Sequence, residues 1–171
     1  MYFTQKTKGS DSILQALTAQ LNNTITLRAQ VQRAQMRLRS DDTSAADLLQ
    51  SLSNELSTIG KLINLRLTDC GRIQTAGTVA ELPATSEDET FPALLREFCN
   101  YDRNTSDRKL IADQSNDFET AILLDRILTF TNRSLWFLDV YSNAMSIKCQ
   151  LSRLPKWNSV AAGKQIAKEV S

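Results

Sequence analysis

The chain has 171 residues, of which 42% are apolar and 23% are charged, and its formal net charge is +1. These values fit one globular domain, and they provide no bulk charge that would attract nucleic acid or a membrane surface. The chain contains no histidine, which excludes histidine-based catalytic triads and imidazole metal ligands within one chain.

Residues 1–9 are predicted to form a flexible tail, after which Ser10 or Asp11 is a suitable N-cap for a first helix. Mostly apolar residues then recur every three or four positions, which predicts a helix of roughly seven turns with one buried stripe. The stripe comprises Leu14, Leu17, Leu21, Thr24 or Ile25, Arg28, Val31, Ala34 or Gln35, and Leu38. The segment 39–44 (RSDDTS) ends this helix with capping and turn residues.

A second helix is predicted to begin near Thr43 or Ser44, because Ser44 and Asp47 have the spacing of a capping box. Its apolar face comprises Leu48, Leu49, Leu52, Leu56, Ile59, Ile63 and Leu67. Gly71 is suited to close the helix. The polar connection 72–90 has 19 residues, which is long for a loop and indicates a functional segment or a short additional helix.

A third helix is predicted to begin near Phe91 and Pro92, since proline suits the first helical position. Its face comprises Leu94, Leu95, Phe98, Tyr101 or Asp102, Leu110 and Ile111. The segment 113–117 (DQSND) separates it from a fourth helix, which is predicted to run to about residue 151 and cannot continue past Pro155.

Four long helices with short, long and short connections predict an all-α, ferritin-like four-helix bundle with a crossover between helices two and three. An ordinary up-down bundle remains open as an alternative. The bundle is predicted to span 10–151 and a basic C-terminal tail 152–171. The basic residues toward this end are Lys148, Arg153, Lys156, Lys164 and Lys168, against one acid, Glu169. They predict weak DNA binding through phosphate contacts, although a solvated tail explains them equally well.

The stretch 117–143, DFETAILLDRILTFTNRSLWFLDVYSN, resembles the last helix of the Dps mini-ferritins. The matching elements are Asp117, Thr120-Ala121, Leu123-Leu124, Leu135-Trp136-Phe137-Leu138-Asp139, and, after the second helix, Gly71 and Gly77-Thr78. The resemblance implies a bundle subunit of which twelve form a hollow shell. Members of this family oxidise Fe(II), usually with hydrogen peroxide, and store a ferric mineral, and many bind DNA through basic tails.

The ferroxidase site of this family uses two histidines and an aspartate of one subunit and an Asp-x-x-x-Glu pair of its partner. In this chain the first histidine corresponds to Ala34 or Gln35, the second to Ala46 or Asp47, and the aspartate to Gln50 or Ser51. The partner's pair corresponds either to Lys61 with Leu65 or to Leu62 with Arg66. Only Asp47 would remain as an oxygen ligand, and a cation at Lys61 or Arg66 would repel a metal ion. The resemblance therefore implies an iron-storage and stress-protection shell whose ferroxidase site is lost or replaced, and it leaves enzyme activity open. The alternative is a non-catalytic DNA-binding or structural shell protein that does not handle iron.

Acidic clusters are the remaining candidates for handling iron. Asp41, Asp42 and Asp47 are weak candidate metal ligands, but acids at a helix N-terminus explain them better. Glu87, Asp88 and Glu89 fit a solvated loop. The resemblance places Asp113, Asp117, Glu119 and Asp125 where the family lines negative threefold channels that admit Fe(II); N-terminal acids of helix four explain them equally well.

The remaining aromatic and sulfur side chains are interpreted as structural. Trp136 and Phe137 are assigned to the core, and Cys70, Cys99 and Cys149 to buried, reduced thiols. No apolar run approaches the roughly 20 residues that span a bilayer, and residues 1–10 lack the apolar stretch of a signal peptide. A cytoplasmic protein without a membrane partner is therefore predicted.

Overall fold

The computed structural model describes residues 4–38, 43–71 and 90–153, and it describes the side chains of 11–38, 43–71 and 90–144. The four helices are α1 (Thr4–Arg37), α2 (Thr43–Asp69), α3 (Thr90–Gln114) and α4 (Phe118–Arg153). Within these ranges there is no strand, which confirms the all-α prediction. No helix of the described part is long and apolar enough to cross a membrane.

Helix α1 begins earlier than its sequence indicates and has the predicted stripe with one exception. It begins at Thr4, so residues 4–9 of the predicted tail are helical. Leu27 is buried and Arg28 is exposed, so the assignment of Arg28 to the stripe was wrong. Leu27 preserves the three-and-four spacing between Thr24 and Val31 while the guanidinium stays in solvent.

Helix α2 matches its prediction closely at both ends. It begins at Thr43, and all residues of the predicted face except the half-buried Leu48 are buried. After its end, Gly71 has φ of 83°, and its N–H donates to the Thr68 carbonyl at 2.9 Å. This left-handed conformation after a helix favours glycine because a side chain there would be strained.

Helix α3 continues its buried face through Thr105 and Ala112, so the assignment of Leu110 to that face was wrong. Its buried face continues from Tyr101 through Thr105 to Ala112, whereas Leu110 is exposed. The link to α4 turns at Asn116, whose φ is 55°. Asparagine tolerates this left-handed conformation better than most residues.

The direction of each helix follows from the side chains that meet across the bundle. Gln35 of α1 contacts Gln50 of α2, and the earlier Leu21 lies near the later Gly60. Thr24 of α1 contacts Tyr101 of α3, and the earlier Gln20 contacts the later Thr105. Arg66 of α2 contacts Thr120 of α4, and the earlier Glu55 contacts the later Arg133. Each of these three helix pairs is therefore antiparallel. Helix α1 packs on α2 and α3, and α4 packs on α3 and α2.

Since α1 has antiparallel partners in both α2 and α3, those two helices are parallel to each other. The chain between them must therefore cross the length of the bundle, about 40 Å for 27 helical residues. The predicted crossover is confirmed, and the up-down alternative is excluded.

Helix α4 shows why a dense apolar cluster need not be core. Leu124, Ile127, Thr131, Ser134 and Leu138 form its buried stripe, with alternating steps of three and four residues. Consecutive helical residues point about 100° apart, so this stripe leaves the residues next to Leu138 outside. Trp136 is 63% exposed and Phe137 38%, and their assignment to the core was wrong.

Candidate functional site

The start of α4 is joined to the end of α2 by a cluster of charged and hydroxyl side chains. Asp117 directly precedes α4 and caps it, because its Oδ1 accepts the Thr120 backbone N–H at 3.1 Å. The Thr120 hydroxyl donates to Asp117 Oδ2 at 2.7 Å. Arg66 Nη2 lies 2.7 Å from Asp117 Oδ1, and Arg66 Nε donates to the Thr120 hydroxyl at 3.1 Å. Arg66 Nη1 also bonds Glu119. We call these four residues, Arg66, Asp117, Glu119 and Thr120, the Arg66 cluster.

The pKa values of the cluster show a charge pair that is stabilised despite burial. Burial by itself would raise the pKa of Asp117, but hydrogen bonds from Thr120 and the charge of Arg66 outweigh it and lower that pKa. Burial would lower the pKa of Arg66, and Asp117 reverses this and raises it. Both side chains are therefore ionised near neutral pH, with Asp117 as the main partner of Arg66 and Thr120 as the main partner of Asp117.

The four candidate channel acids are held in different ways. The Arg66 cluster contains Asp117 and Glu119, while Asp113 pairs with Lys109 at 3.1 Å. Asp125 is exposed and has no ion pair within the described residues. Two cations of the same chain therefore offset much of the negative charge that this segment was predicted to present.

A chain of amides joins α1 to α2 near the other end of the bundle. Gln35 Nε2 donates to Gln50 Oε1 at 3.0 Å, and Gln50 Nε2 donates to Asn54 Oδ1 at 3.0 Å. These groups are neutral, and the amide of Gln50 both accepts from Gln35 and donates to Asn54. No group of three or more His, Cys, Asp or Glu that could hold a metal ion occurs in the described part of the chain.

A buried polar network lies between α1 and α3, and the sequence predictions missed it. Gln20 Nε2 donates to Thr105 Oγ1 at 2.8 Å, and Arg108 Nη1 donates to Gln20 Oε1 at 2.5 Å. The Thr24 hydroxyl donates to the Gln20 carbonyl at 2.8 Å, so the hydroxyl of Tyr101, 2.7 Å away, donates to Thr24. The signal that could have revealed this network is a spacing of four residues on α1 and of four and three residues on α3.

Burial dominates the ionisation of this network. It raises the pKa of the Tyr101 hydroxyl and lowers the pKa of the Arg108 guanidinium. Beside the network, a cleft of about 340 Å³ opens between α1 and α3. Its lining is mostly polar: Asn23, Thr26, Leu27, Gln30, Glu97, Asn100, Tyr101, Arg103 and Asn104.

Comparison with solved structures identifies the architecture, whereas no protein-family model and no curated protein matches the chain. Dps from Thermosynechococcus elongatus superposes with a TM-score of 0.74 at 14% identity, covering 81% of this chain and 94% of that one. A Dps protein from Bacillus brevis gives 0.71 at 17% identity, covering 78% and 97%. The chain has the Dps fold. Identities this low establish the fold and not the activity.

A third structure broadens the comparison. Dps from Vibrio cholerae, described as a member of a broad superfamily of ferritin-like diiron-carboxylate proteins, gives a TM-score of 0.68 at 11% identity. It covers 79% of this chain and 91% of that one. The predicted resemblance to Dps proteins is thus confirmed at the level of the fold.

The Dps fold gives the amide chain its significance. The resemblance offers Ala34 or Gln35 for a histidine ligand and Gln50 or Ser51 for an aspartate ligand, and the structure brings the side chains of Gln35 and Gln50 into contact. Asp47, the one oxygen ligand that could remain, is exposed. Arg66 takes the position of the partner's glutamate only in the alternative register, which places Ser51 instead of Gln50 at the aspartate, and it is held by Asp117 and Glu119.

Several predicted site residues lie outside the described part of this Dps-fold chain. They are Asp41, Asp42, Glu87, Asp88, Glu89, Lys156, Lys164 and Lys168. Lys148, Cys149 and Arg153 belong to α4, but their side chains lie outside the described part of the chain. Cys99 is exposed, so its assignment as a buried thiol was wrong, whereas Cys70 is half-buried and packs against the core.

Proposed function

We propose that this chain forms a Dps-like shell that stores iron and protects the cytoplasm from oxidative stress, with the usual ferroxidase site lost or replaced. The observation that carries the proposal is the Dps fold with an amide pair, Gln35 and Gln50, where the resemblance expects metal ligands. The resemblance implies twelve subunits and a hollow interior for the mineral.

Fe(II) is the cargo in this proposal, and the charges around the start of α4 govern how it enters. Asp117 already accepts three hydrogen bonds from Arg66 and Thr120. Its oxygens are therefore poorly placed to bind a cation. Asp125 has no such partner in the described structure and is exposed, so it is the acid of this segment most open to Fe(II). Repeated about a threefold axis, such a carboxylate would attract cations.

The absence of imidazole and of a charged ligand set has a consequence for the chemistry. Neutral amides neither bind a hard cation as strongly as carboxylates nor compensate its charge. Fe(II) oxidation in this shell would therefore be slow, and mineral would form on carboxylates of the interior surface. A second oxidation centre elsewhere in the chain is the alternative.

Iron loading tests this proposal directly. Purified protein is mixed with Fe(II) in the presence of hydrogen peroxide or oxygen, and the product is separated by size-exclusion chromatography. We expect iron to elute with a particle of about twelve subunits, at an oxidation rate near that of the protein-free control. A much faster rate would show a replacement ferroxidase site, and protein that elutes without iron would contradict iron storage.

Substitution of one exposed acid can test where Fe(II) enters the shell. Asp125→Asn is expected to slow iron uptake by the shell. Asp107→Asn is a matched control, because Asp107 is also an exposed acid but lies on α3 outside the proposed path. Equal iron uptake by both variants would show that Asp125 does not contribute to Fe(II) entry.

A second candidate function is a structural or DNA-binding shell that handles no iron. The Gln35–Gln50 amide pair favours it in one register of the resemblance and the cationic Arg66 favours it in the other, since neither provides a strong metal ligand. DNA retardation at low and moderate salt tests the DNA-binding form. Reversal of two tail charges, Lys164→Glu with Lys168→Glu, should abolish retardation if the tail binds DNA phosphates. A particle of one or two subunits would contradict both candidates.

A further inference from the structure

The cleft between α1 and α3, which we call the polar cleft, has a buried floor and polar walls. Its lining follows the same spacing on both helices, at positions 23, 26, 27 and 30 of α1 and at positions 97, 100, 101 and 104 of α3. Residues spaced in this way lie on one side of a helix. Leu27 and Tyr101 are each 3% exposed, so they form the floor, and the polar lining residues form the walls above it.

Most side chains of these walls have no partner inside the chain. Asn23 is the exception, because its side-chain oxygen accepts from Arg108 Nη2 at 3.1 Å in the amide orientation that pairs donors with acceptors. The other polar wall residues make no side-chain hydrogen bond and no ion pair within the described residues: Thr26, Gln30, Glu97, Asn100, Arg103 and Asn104. A ligand can therefore bind these six side chains by displacing solvent, without breaking a bond of the fold.

The two charged residues among these six lie toward opposite ends of the cleft. Because α1 and α3 are antiparallel, Glu97 lies toward the end that contains Gln30. Arg103 lies toward the end that contains Asn23. At that end Arg108 adds a second cation, which is bonded to neutral side-chain amides. Six residues separate Glu97 from Arg103, which is about 9 Å along α3.

This separation of charge selects the class of ligand. A neutral sugar or polyol would cover both charges and leave them unpaired, which is costly. A dicarboxylate or a diamine would pair with one charge and be repelled by the other. A zwitterion pairs with both ends at once.

The distance between the charged ends selects the length of the zwitterion. An extended chain covers about 3.3 Å per residue, so a single amino acid is too short, whereas a tripeptide of about 10 Å spans the cleft. Along the walls, the side chains of Thr26, Asn100 and Asn104 each provide a donor and an acceptor, as peptide groups require. The volume of about 340 Å³ lies at the small end of the range for ligand pockets, which favours a short peptide over a larger ligand.

We propose that the polar cleft binds a short peptide of about three residues with free termini, with its ammonium group at Glu97 and its carboxylate at Arg103. The peptide groups bond the amides and the hydroxyl of the walls, and small side chains rest on Leu27 and Tyr101. The inference does not depend on iron storage.

Equilibrium dialysis of the full-length assembled protein against trialanine at pH 7 tests the proposal. Two capped ligands separate the termini: N-acetyl-trialanine has no ammonium group, and trialanine amide has no carboxylate. Arg103→Gln and Glu97→Gln each remove one charge of the cleft. Arg96→Gln is the matched control, because Arg96 is an exposed arginine of α3 that does not line the cleft.

We expect trialanine to bind the unsubstituted chain and Arg96→Gln with the same affinity. Arg103→Gln should weaken trialanine binding by about fivefold, the upper range for an exposed ion pair, and should leave the affinity for trialanine amide unchanged. Glu97→Gln should weaken trialanine binding to a similar extent and leave the affinity for N-acetyl-trialanine unchanged. A variant that merely disturbed the fold would weaken all three ligands alike.

Three outcomes would overturn the proposal. Trialanine that does not bind at about 10 mM, where a ligand with a Kd of about 1 mM would nearly saturate its site, would show that the cleft takes no such peptide. Capped ligands that bind the unsubstituted chain as tightly as trialanine would show that the termini are not recognised. Equal weakening by Arg96→Gln and Arg103→Gln would place the binding outside the cleft.

Discussion

The Arg66 cluster gives the most quantitative prediction, because its side chains are mostly buried and their partners are defined. Arg66 and Asp117 are 19% and 17% exposed, and their nearest atoms are 2.7 Å apart. In Asp117→Ala, α4 loses its N-cap, a change that costs about 1 kcal/mol. The same variant leaves Arg66 without its main partner, and a hydrogen bond to a charged group contributes about 1.5–3 kcal/mol. We therefore expect Asp117→Ala to lower the free energy of unfolding by about 2.5–4 kcal/mol.

Asp117→Asn separates the cap from the charge. Asparagine caps helices about as well as aspartate, so this variant should retain the bond to the Thr120 N–H and lose only the charge pair. Its expected cost is about 1–2 kcal/mol. Glu119→Gln is the matched control at the same cation, because Glu119 is 77% exposed and an exposed pair contributes less than about 1 kcal/mol.

Urea unfolding followed by circular dichroism measures these differences. All variants must be compared at one protein concentration, because association of folded subunits raises the apparent stability. If Asp117→Ala and Asp117→Asn cost the same, the cap contributes nothing and only the charge matters. If both cost less than about 0.5 kcal/mol, within the usual range of surface substitutions, the Arg66 cluster does not hold α2 to α4.

Three further predictions follow from other described residues. The pKa of Asp117 is lowered in the folded chain, so its carboxylate stabilises the fold at pH values above the ordinary aspartate pKa of about 3.9. That contribution is lost as the pH falls through the folded-state pKa. When unfolding is measured at decreasing pH, the free energy of unfolding should therefore fall less in Asp117→Asn than in the unsubstituted chain. Tyr101→Phe removes the hydroxyl that donates to Thr24 and should cost about 1 kcal/mol in urea unfolding, whereas an unchanged midpoint would show that the hydroxyl is dispensable. Cys99 should react with a thiol reagent faster than Cys70, because Cys99 is exposed while burial raises the pKa of the Cys70 thiol; peptide mapping by mass spectrometry measures both, and faster labelling of Cys70 would contradict this order.

The helices were predictable because local signals and apolar spacing agree along most of the chain. Helix α2 begins at Thr43 and ends before Gly71, as its capping residues and its glycine indicate. The start of α1 was not predictable, since polar residues 4–9 have no apolar stripe to indicate a helix. The identity of the buried residue between Thr24 and Val31 was also misjudged, because spacing by itself fits both Leu27 and Arg28.

The candidate site was less predictable than the fold. The absence of histidine was evident from the composition, and the resemblance indicated where the ligands of the family would lie. It could not show that Arg66 is held by Asp117 and Glu119, or that Gln35 bonds Gln50, since each pair is distant in the chain. The polar network around Gln20 and Arg108 was missed for the same reason.

The sequence by itself determined the helical architecture and the absence of imidazole chemistry, because helix periodicity, capping and composition are local or additive properties. Tertiary structure decided which side chains face each other and which apolar residues stay outside. Trp136 shows the difference: its neighbours predict a buried cluster, yet the stripe through Leu138 fixes the rotation of α4 and leaves the indole in solvent. Charge neutralisation by Arg66 is likewise a property of two packed helices, since a cation on α2 meets acids on α4 only after the bundle forms.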